Sequence, residues 1–326
     1  MAPVKSNKCA FVLAFFLICL GSAAIFLAYS INKKVLYIPK RNLIVDRIGD
    51  AAVVDLLTRE KLADGRTVAA IAIKVMRLLG HSIKSGEYEL PYCLSLREAI
   101  EILASGQVVI HKITIPEGFS VKQTLQRLEK NEFLLGKIEE APEEGSLMPD
   151  TYCFRYPATR QQIISMAQSE MAEFMRREWP RRSQGCTLKT PRETLILASI
   201  VEKEAAAERE MVAGVYLNRL NMGMKLQSCP TVIYALTRGD KFGRPLKYSD
   251  LKTNNAHNTY VHAGLPPTPI TNPGRSSIMA TLHPRKTENL FFVSDGADGH
   301  IFSRTFEEHK RHCRLRDIRL KQKKAP

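Results

Sequence analysis

The stretch LILASIVEKEAAAERE, Leu195 to Glu210, sets Glu202, Lys203 and Glu204 at the end of an apolar, Ala-rich run, with Glu208 and Arg209 close behind. Acids in such a place have two readings: a solvated helix face, which is the common one, or a proton donor. The upstream TPRETLILASIVEKE begins with Thr190 as N-cap, Pro191 at the first helical position and Glu193 completing a capping box. The helix therefore starts near Pro191, and Glu204 lies almost four turns on at about 3.6 residues per turn. Glu202 and Glu204 differ by about 200° around a helix, so they cannot face one pocket, and one of them is expected in solvent. If the helix ends near Glu204, the negative pole of its dipole and the apolar Ile200 and Val201 disfavour ionisation there, while Lys203 and Arg209 oppose the effect. A carboxylic acid kept partly protonated near neutral pH is what a general acid requires.

The neighbouring segments must hold such an acid in place. AAAERE either continues the helix or breaks it into a second one, and VAGVYLNRLNMG, Val212 to Gly223, reads as a helix ending at glycine. KLQSCPTVIYAL, Lys225 to Leu236, mixes amide, hydroxyl and aromatic groups. NNAHNTYVHAGLPPTPITNPG, Asn254 to Gly274, packs four prolines, two glycines and four asparagines into one rigid, irregular loop. Asn, Gln, Thr and Tyr beside a carboxylic acid suit a polyhydroxylated ligand that needs many neutral hydrogen bonds; a purely structural loop is the other reading.

The N-terminal half is a compact α+β pattern from about Asn42 to His111. NLIVD is strand-like, Asp50–Thr58 and Thr67–Leu79 are helical, and SGEYEL (Ser85–Leu90) alternates like a strand. SLREAIEILASG opens on a Ser95/Glu98 capping box and closes on Gly106. VVIHKITI, Val108 to Ile115, reads as a strand. SVKQTLQRLEKN starts with a second box, Ser120 to Gln123, and lines up Val121, Leu125 and Leu128 on one face. Small strand–helix modules of this kind bind ligands or act as spacers.

The 326 residues are 44% apolar and 25% charged, a globular composition with room for one large or two modest cores. Cys9 to Ile31 carries no charge and, as a helix of ~1.5 Å per residue, is long enough to cross a bilayer. A cleaved signal peptide has a shorter apolar region, so an uncleaved anchor is expected. Lys5 and Lys8 precede it, and Lys33, Lys34, Lys40 and Arg41 follow it, a charge bias that leaves orientation open. The net charge of +15 is concentrated in Lys310 to Lys324 and in RREWPRR (Arg176 to Arg182). It favours anionic partners, yet no zinc finger, RNA-binding aromatic signature or helix-turn-helix accompanies it, so nucleic acid is not expected. The five cysteines outside the apolar run are scattered without metal-ligand spacing, and no metal or cofactor is expected; His257 and His262 read as loop or subsite residues.

Taken in order, EGSLMPDTY, LASIVEKE, VAGVYLNRL, MKLQ..PTVIYAL, NTY, GLPPTPI.NPG and LFFVSDG..GHIFS resemble the endolytic murein transglycosylase, or YceG-like, family over about Val108 to Lys310. The resemblance implies an α+β fold: an N-terminal transmembrane helix (9–31, after a cytoplasmic 1–8), a LysM-like subdomain (42–111), a larger mixed catalytic domain (112–309) and a basic tail (310–326). It implies cleavage of nascent peptidoglycan glycan strands at the periplasmic face of the inner membrane, with peptidoglycan synthases as possible partners. Glu204, the second acid of EKE, is the implied catalytic residue, and Asn218, Gln227, Thr231, Tyr234, Asn258 and Tyr260 the implied substrate-binding groups. Cys229 stands where the family usually has Asp, and the link from Glu204 to Glu208 is short for the family. A non-catalytic glycan-binding scaffold would keep these grooves without needing Glu204. A hydrolytic muramidase would need a second carboxylate to activate water.

Overall fold

A computed structural model describes residues 6–37, 42–46, 49–205, 207–297 and 299–324. Residues 1–5 of the expected cytoplasmic segment, and the flanking Lys40 and Arg41, lie outside them. Helix α1, Ser6–Asn32, contains an apolar span, Ala10–Asn32, with a mean hydropathy of 2.7 and no buried share. It is long and apolar enough to cross a membrane. The chain divides into two compact units, Met1–His111 with Phe154–Pro157, and Lys112–Cys153 with Ala158–Pro326. Both mix helices with short strands.

In the first unit, β1 (Lys34–Leu36), β2 (Leu43–Val45), α2 (Asp50–Arg59), α3 (Arg66–Leu78), β3 (Gly86–Tyr88), β4 (Cys93–Ser95) and α4 (Leu96–Ser105) follow one another. Two antiparallel ribbons form, β1 with β4 and β2 with β3. The Ser95/Glu98 box is complete, and α4 ends on Gly106 in the left-handed region. Lys33 and Lys34, which follow the apolar span, face Asp64 and Glu98. The expected in–out alternation of SGEYEL is absent, because all three residues of β3 are buried. Glu87 tolerates this by pairing with His111 at 2.6 Å and accepting from Asn42 Nδ2 at 2.8 Å, so both carboxylate oxygens keep hydrogen-bond partners inside.

The second unit adds β5 (His111–Thr114), α5 (Val121–Glu129), β6 (Leu134–Leu135), β7 (Thr151–Phe154), β8 (Ala158–Thr159), α6 (Arg160–Glu178), α7 (Pro191–Glu204), α8 (Arg209–Asn221), α9 (Cys229–Thr237), α10 (Arg275–Leu282), the ribbon β9 (Phe291–Ser294) and β10 (His300–Ser303), and α11 (Phe306–Lys324). Strand β5 is shorter than Val108–Ile115, because the Val108 and Val109 N–H groups are taken by Gly106 and Glu87 carbonyls instead of a ladder. The core lies between α7 and α8, where Leu197, Ile200, Val201, Val212, Tyr216 and Leu217 are nearly free of solvent. A second cluster of Met148, Met171, Phe174, Ala198, Ile278 and Leu282 covers the other face of α7. Burial of α7 on two sides explains why its sequence is apolar almost all round. At Gly214 of α8 a Cβ would meet the Arg285 carbonyl oxygen at 2.4 Å, so the following segment packs directly on helix backbone.

Candidate active site

Helix α7 starts where the sequence puts it, with Thr190 Oγ1 accepting from the Glu193 N–H at 3.1 Å. The reciprocal half of the expected box is absent: the Glu193 carboxylate accepts from the Lys189 N–H at 2.6 Å, one residue before the cap. The helix stops at Glu204, Ala205 is extended, and α8 begins at Arg209. The chain therefore breaks in AAAERE, and Glu204 sits on the last turn above the α7–α8 core.

Two hydroxyls hold the Glu204 carboxyl by one oxygen. Ser228 Oγ donates to Oε1 at 2.6 Å, and Tyr216 OH donates to the same oxygen at 3.2 Å. Oε2 receives no donor from the described residues. Burial pushes the Glu204 pKa up, and the hydrogen bonds from Ser228 and Tyr216, then the charges of His300 and Arg219, offset part of that shift. Ile200 and Val201 are fully buried beneath it. The opposing cations are not the expected Lys203 and Arg209: Lys203 Nζ lies 3.4 Å from the Gly118 carbonyl oxygen, and Arg209 Nη2 lies 3.6 Å from Glu202.

Glu202 corrects the expectation of one solvated acid. It points away from Glu204, yet only 6% of its side chain is exposed. Its Oε2 accepts from the Gly274 N–H at 2.9 Å. The Pro-rich loop is thereby clamped to α7, assisted by the Ile270 N–H donating to Ser199 Oγ at 3.0 Å. Gly274 allows this close approach, since a Cβ there would fall 1.9 Å from Glu117 Oε1.

The segment that brings Ser228 to Glu204 is fixed by groups that pattern alone does not single out. Arg219 is buried; its Nε donates to the Leu290 carbonyl oxygen at 2.6 Å and Nη1 to that of Leu226 at 2.7 Å. Gln227 turns the chain in the left-handed region, φ 53°, and its N–H donates to Thr259 O at 3.1 Å. The Ser228 N–H then donates to Thr259 Oγ1 at 3.0 Å. Ser228, Tyr216, Arg219 and Thr259 are all missing from the residues expected at the site. Their signal was present within KLQS, VYLNRL and NTY, but a buried Ser or Tyr gains meaning only when its partner is known.

The expected binding residues divide by position. Tyr260 reaches the site rim, its OH 3.2 Å from Cys229 Sγ, and burial raises its pKa. The Gln227 side chain, one residue before Ser228, is exposed. Tyr234 lies on α9, its OH donating to Glu144 Oε2 at 3.3 Å and its ring 4.9 Å from that of His257, which pairs with Thr268 Oγ1. Three others are engaged internally. Asn258 is fully buried, donating to Leu251 O and Thr253 O and accepting from the Tyr260 N–H. Thr231 is fully buried and joins Ser228 O to Thr259 Oγ1. Asn218 Nδ2 donates to Thr287 O at 2.8 Å and Asn289 O at 3.2 Å, tying α8 to the strand entry.

Other acids in the unit are held in different settings. Asp150 pairs with Arg275 Nη1 at 2.7 Å, and the Arg275 hydrogen bond lowers its pKa. Glu144 accepts from the Val121 N–H at 2.8 Å, and burial raises its pKa to about 7. The coulombic influences that lower the Glu204 pKa come from His300 and Arg219. Among the described residues no three His, Cys, Asp or Glu side chains gather as a metal site.

Residues 47–315 match the YceG-like family. The endolytic murein transglycosylase of Bacillus subtilis is 30% identical, the match covering 70% of this chain and 71% of that one. The endolytic murein transglycosylase of Streptococcus pneumoniae is 26% identical, over 71% of this chain and half of its own length. A crystal structure of a YceG-like protein from Listeria monocytogenes superposes with a TM-score of 0.52 at 27% identity, covering 86% of this chain and 99% of that one. The family match spans both the α7–α8 acid and the loops that hold it, and this chain belongs to the YceG-like family.

Proposed function

We propose that the chain is an endolytic lytic transglycosylase that cuts peptidoglycan glycan strands and leaves 1,6-anhydro-N-acetylmuramic acid ends. One observation carries this: Glu204, an acid whose pKa burial raises, is held through one oxygen by the neutral hydroxyls of Ser228 and Tyr216. A single acid suffices when the substrate supplies the nucleophile. Protonated Glu204 gives its proton to the glycosidic oxygen as the bond to muramyl C1 breaks. The resulting carboxylate takes the proton of the C6 hydroxyl as that oxygen closes on C1. No water enters, and Glu204 ends protonated, ready for another turn. Ser228 and Tyr216 stabilise the intermediate carboxylate, which keeps the two proton transfers within reach of one pKa.

The wider reading follows from the same family. Residues 42–111 are a LysM-like glycan-binding subdomain and 112–309 the catalytic domain. The apolar span of α1 is a retained inner-membrane anchor, with the catalytic domain in the periplasm beside peptidoglycan synthases, cutting nascent strands and so ending their elongation. Digestion of purified strands in water labelled with heavy oxygen tests the chemistry. Ends lighter by one water and free of label, at several strand lengths, are expected. Reducing muramyl ends carrying the label would establish a muramidase in its place.

A further inference from the structure

A cationic recess lies beside the segment that follows α9. A cavity of about 440 Å³ is lined by Lys203 and Pro230, the chain neighbours of Glu204 and Cys229, and by Tyr234, Ile270 and Phe242. It shares Gln123, Asp240 and Lys241 with a second cavity of about 820 Å³. The walls of that recess include Lys112 at β5, Arg127 and Lys130 on α5, and Lys241 after α9. Asp240 is the one acid among its lining residues and is already engaged by Lys122. Arg127 is spent in part on the Thr114 carbonyl oxygen, 2.7 Å from its Nε. Lys112, Lys130 and Lys241 are exposed, and among the described residues their ammonium groups form no ion pair or hydrogen bond. Phe119, Gln126 and Asn131 complete the recess with an aromatic face and neutral amides.

Three unpaired ammonium groups around amides and one ring are poor company for a neutral sugar and good company for a peptide that carries carboxylates. A glycan strand with short peptides on its muramyl lactyl groups presents such carboxylates at intervals beside the sugar backbone. We infer that this recess binds the carboxylates of a stem peptide on the strand being cut, so that Lys112, Lys130 and Lys241 select peptide-bearing over denuded glycan. The inference rests on the proposed glycan-strand substrate. The lysines act on affinity, not on the chemical step, since none adjoins Glu204.

Binding tests this apart from catalysis. The full-length chain carrying Glu204→Gln is titrated with peptide-bearing strands, with strands stripped of peptide by an amidase, and with peptide-bearing strands whose carboxylates are chemically amidated. Adding K112Q, K130Q and K241Q together is expected to lower the preference for peptide-bearing over stripped strands roughly tenfold, the scale of three exposed ion pairs. Amidated strands should bind like stripped ones, and the preference should shrink as salt is raised from about 50 to 300 mM. An unchanged preference in the lysine variant, or one insensitive to both salt and amidation, overturns the inference; the salt and amidation arms decide the matter without any lysine variant. Cleavage by the unmodified chain is measured in parallel. A chain that keeps the preference but cuts neither strand would refute the proposed activity and leave the recess assigned.

Discussion

Ser228 Oγ and Glu204 Oε1 lie 2.6 Å apart, joined across 24 residues of sequence by the fold of one loop onto the end of α7. This bond and that from Tyr216 favour the ionised acid, while burial favours the protonated one. Glu204 is thus held above the ordinary carboxylate range, with two hydroxyls that favour its ionised form. Glu204→Gln removes the transferable proton but keeps the size and an acceptor for both hydroxyls. It is expected to cost about 10²–10⁴-fold in kcat/KM, with unchanged melting.

Ser228→Ala deletes a donor that stabilises the carboxylate, so the Glu204 pKa must rise further. Activity that depends on protonated Glu204 then persists to higher pH. The alkaline limb of kcat/KM is expected to move up by about one pH unit. A limb that stays in place or moves towards acid would remove Ser228 from this role.

Glu202 is a clamp and not a spare acid. Glu202→Gln keeps an acceptor for Gly274 but removes the negative charge 3.6 Å from Arg209 Nη2. A loss of about 1–3 kcal/mol in unfolding free energy is expected, with kcat of the folded fraction close to normal. Activity lost as completely as in Glu204→Gln, at unchanged stability, would move Glu202 into the chemistry.

Glu144 carries a pH dependence of stability. Its folded pKa of about 7 lies above the unfolded value of 4.5, so the native state holds the proton more tightly. Its contribution is fully present below about 4.5 and is lost as pH rises through about 7, on the order of 1–3 kcal/mol in all. Glu144→Gln mimics the protonated form and should be more stable than the natural chain at pH 8 but not at pH 4. Denaturant titrations at the two pH values measure the difference, and an equal difference at both would contradict it.

Asn258 and Gln227 separate loop shape from substrate contact. Asn258→Ala strands the carbonyls of Leu251 and Thr253 and the N–H of Tyr260, at about 2–4 kcal/mol of stability. Gln227→Ala removes an exposed side chain and is expected to leave melting in place while raising KM. Equal melting temperatures for the two variants would show that the Asn258 bonds do not hold the loop.

What local rules govern, the sequence determined. The start of α7 at Pro191, the Ser95/Glu98 and Ser120/Gln123 caps, the left-handed Gly106 and the apolar span of α1 each depend on residues a few positions apart. Glu204 was legible because it follows the apolar, buried Ile200 and Val201 one turn back on the same helix. Glu202 was misread because its burial depends on Gly274 and Arg209, which periodicity within α7 cannot report. The same holds for Ser228, Thr259 and Arg219: buried hydroxyls and a buried guanidinium are costly unless partnered, and their partners lie far along the chain. Asn258 and Thr231 carry the chemistry of sugar binding, yet backbone groups that needed satisfying inside the loop had the first claim on them. Residue types and short spacings thus disclosed an acid and its helix; long-range hydrogen bonding decided which polar groups face that acid and which only hold its walls.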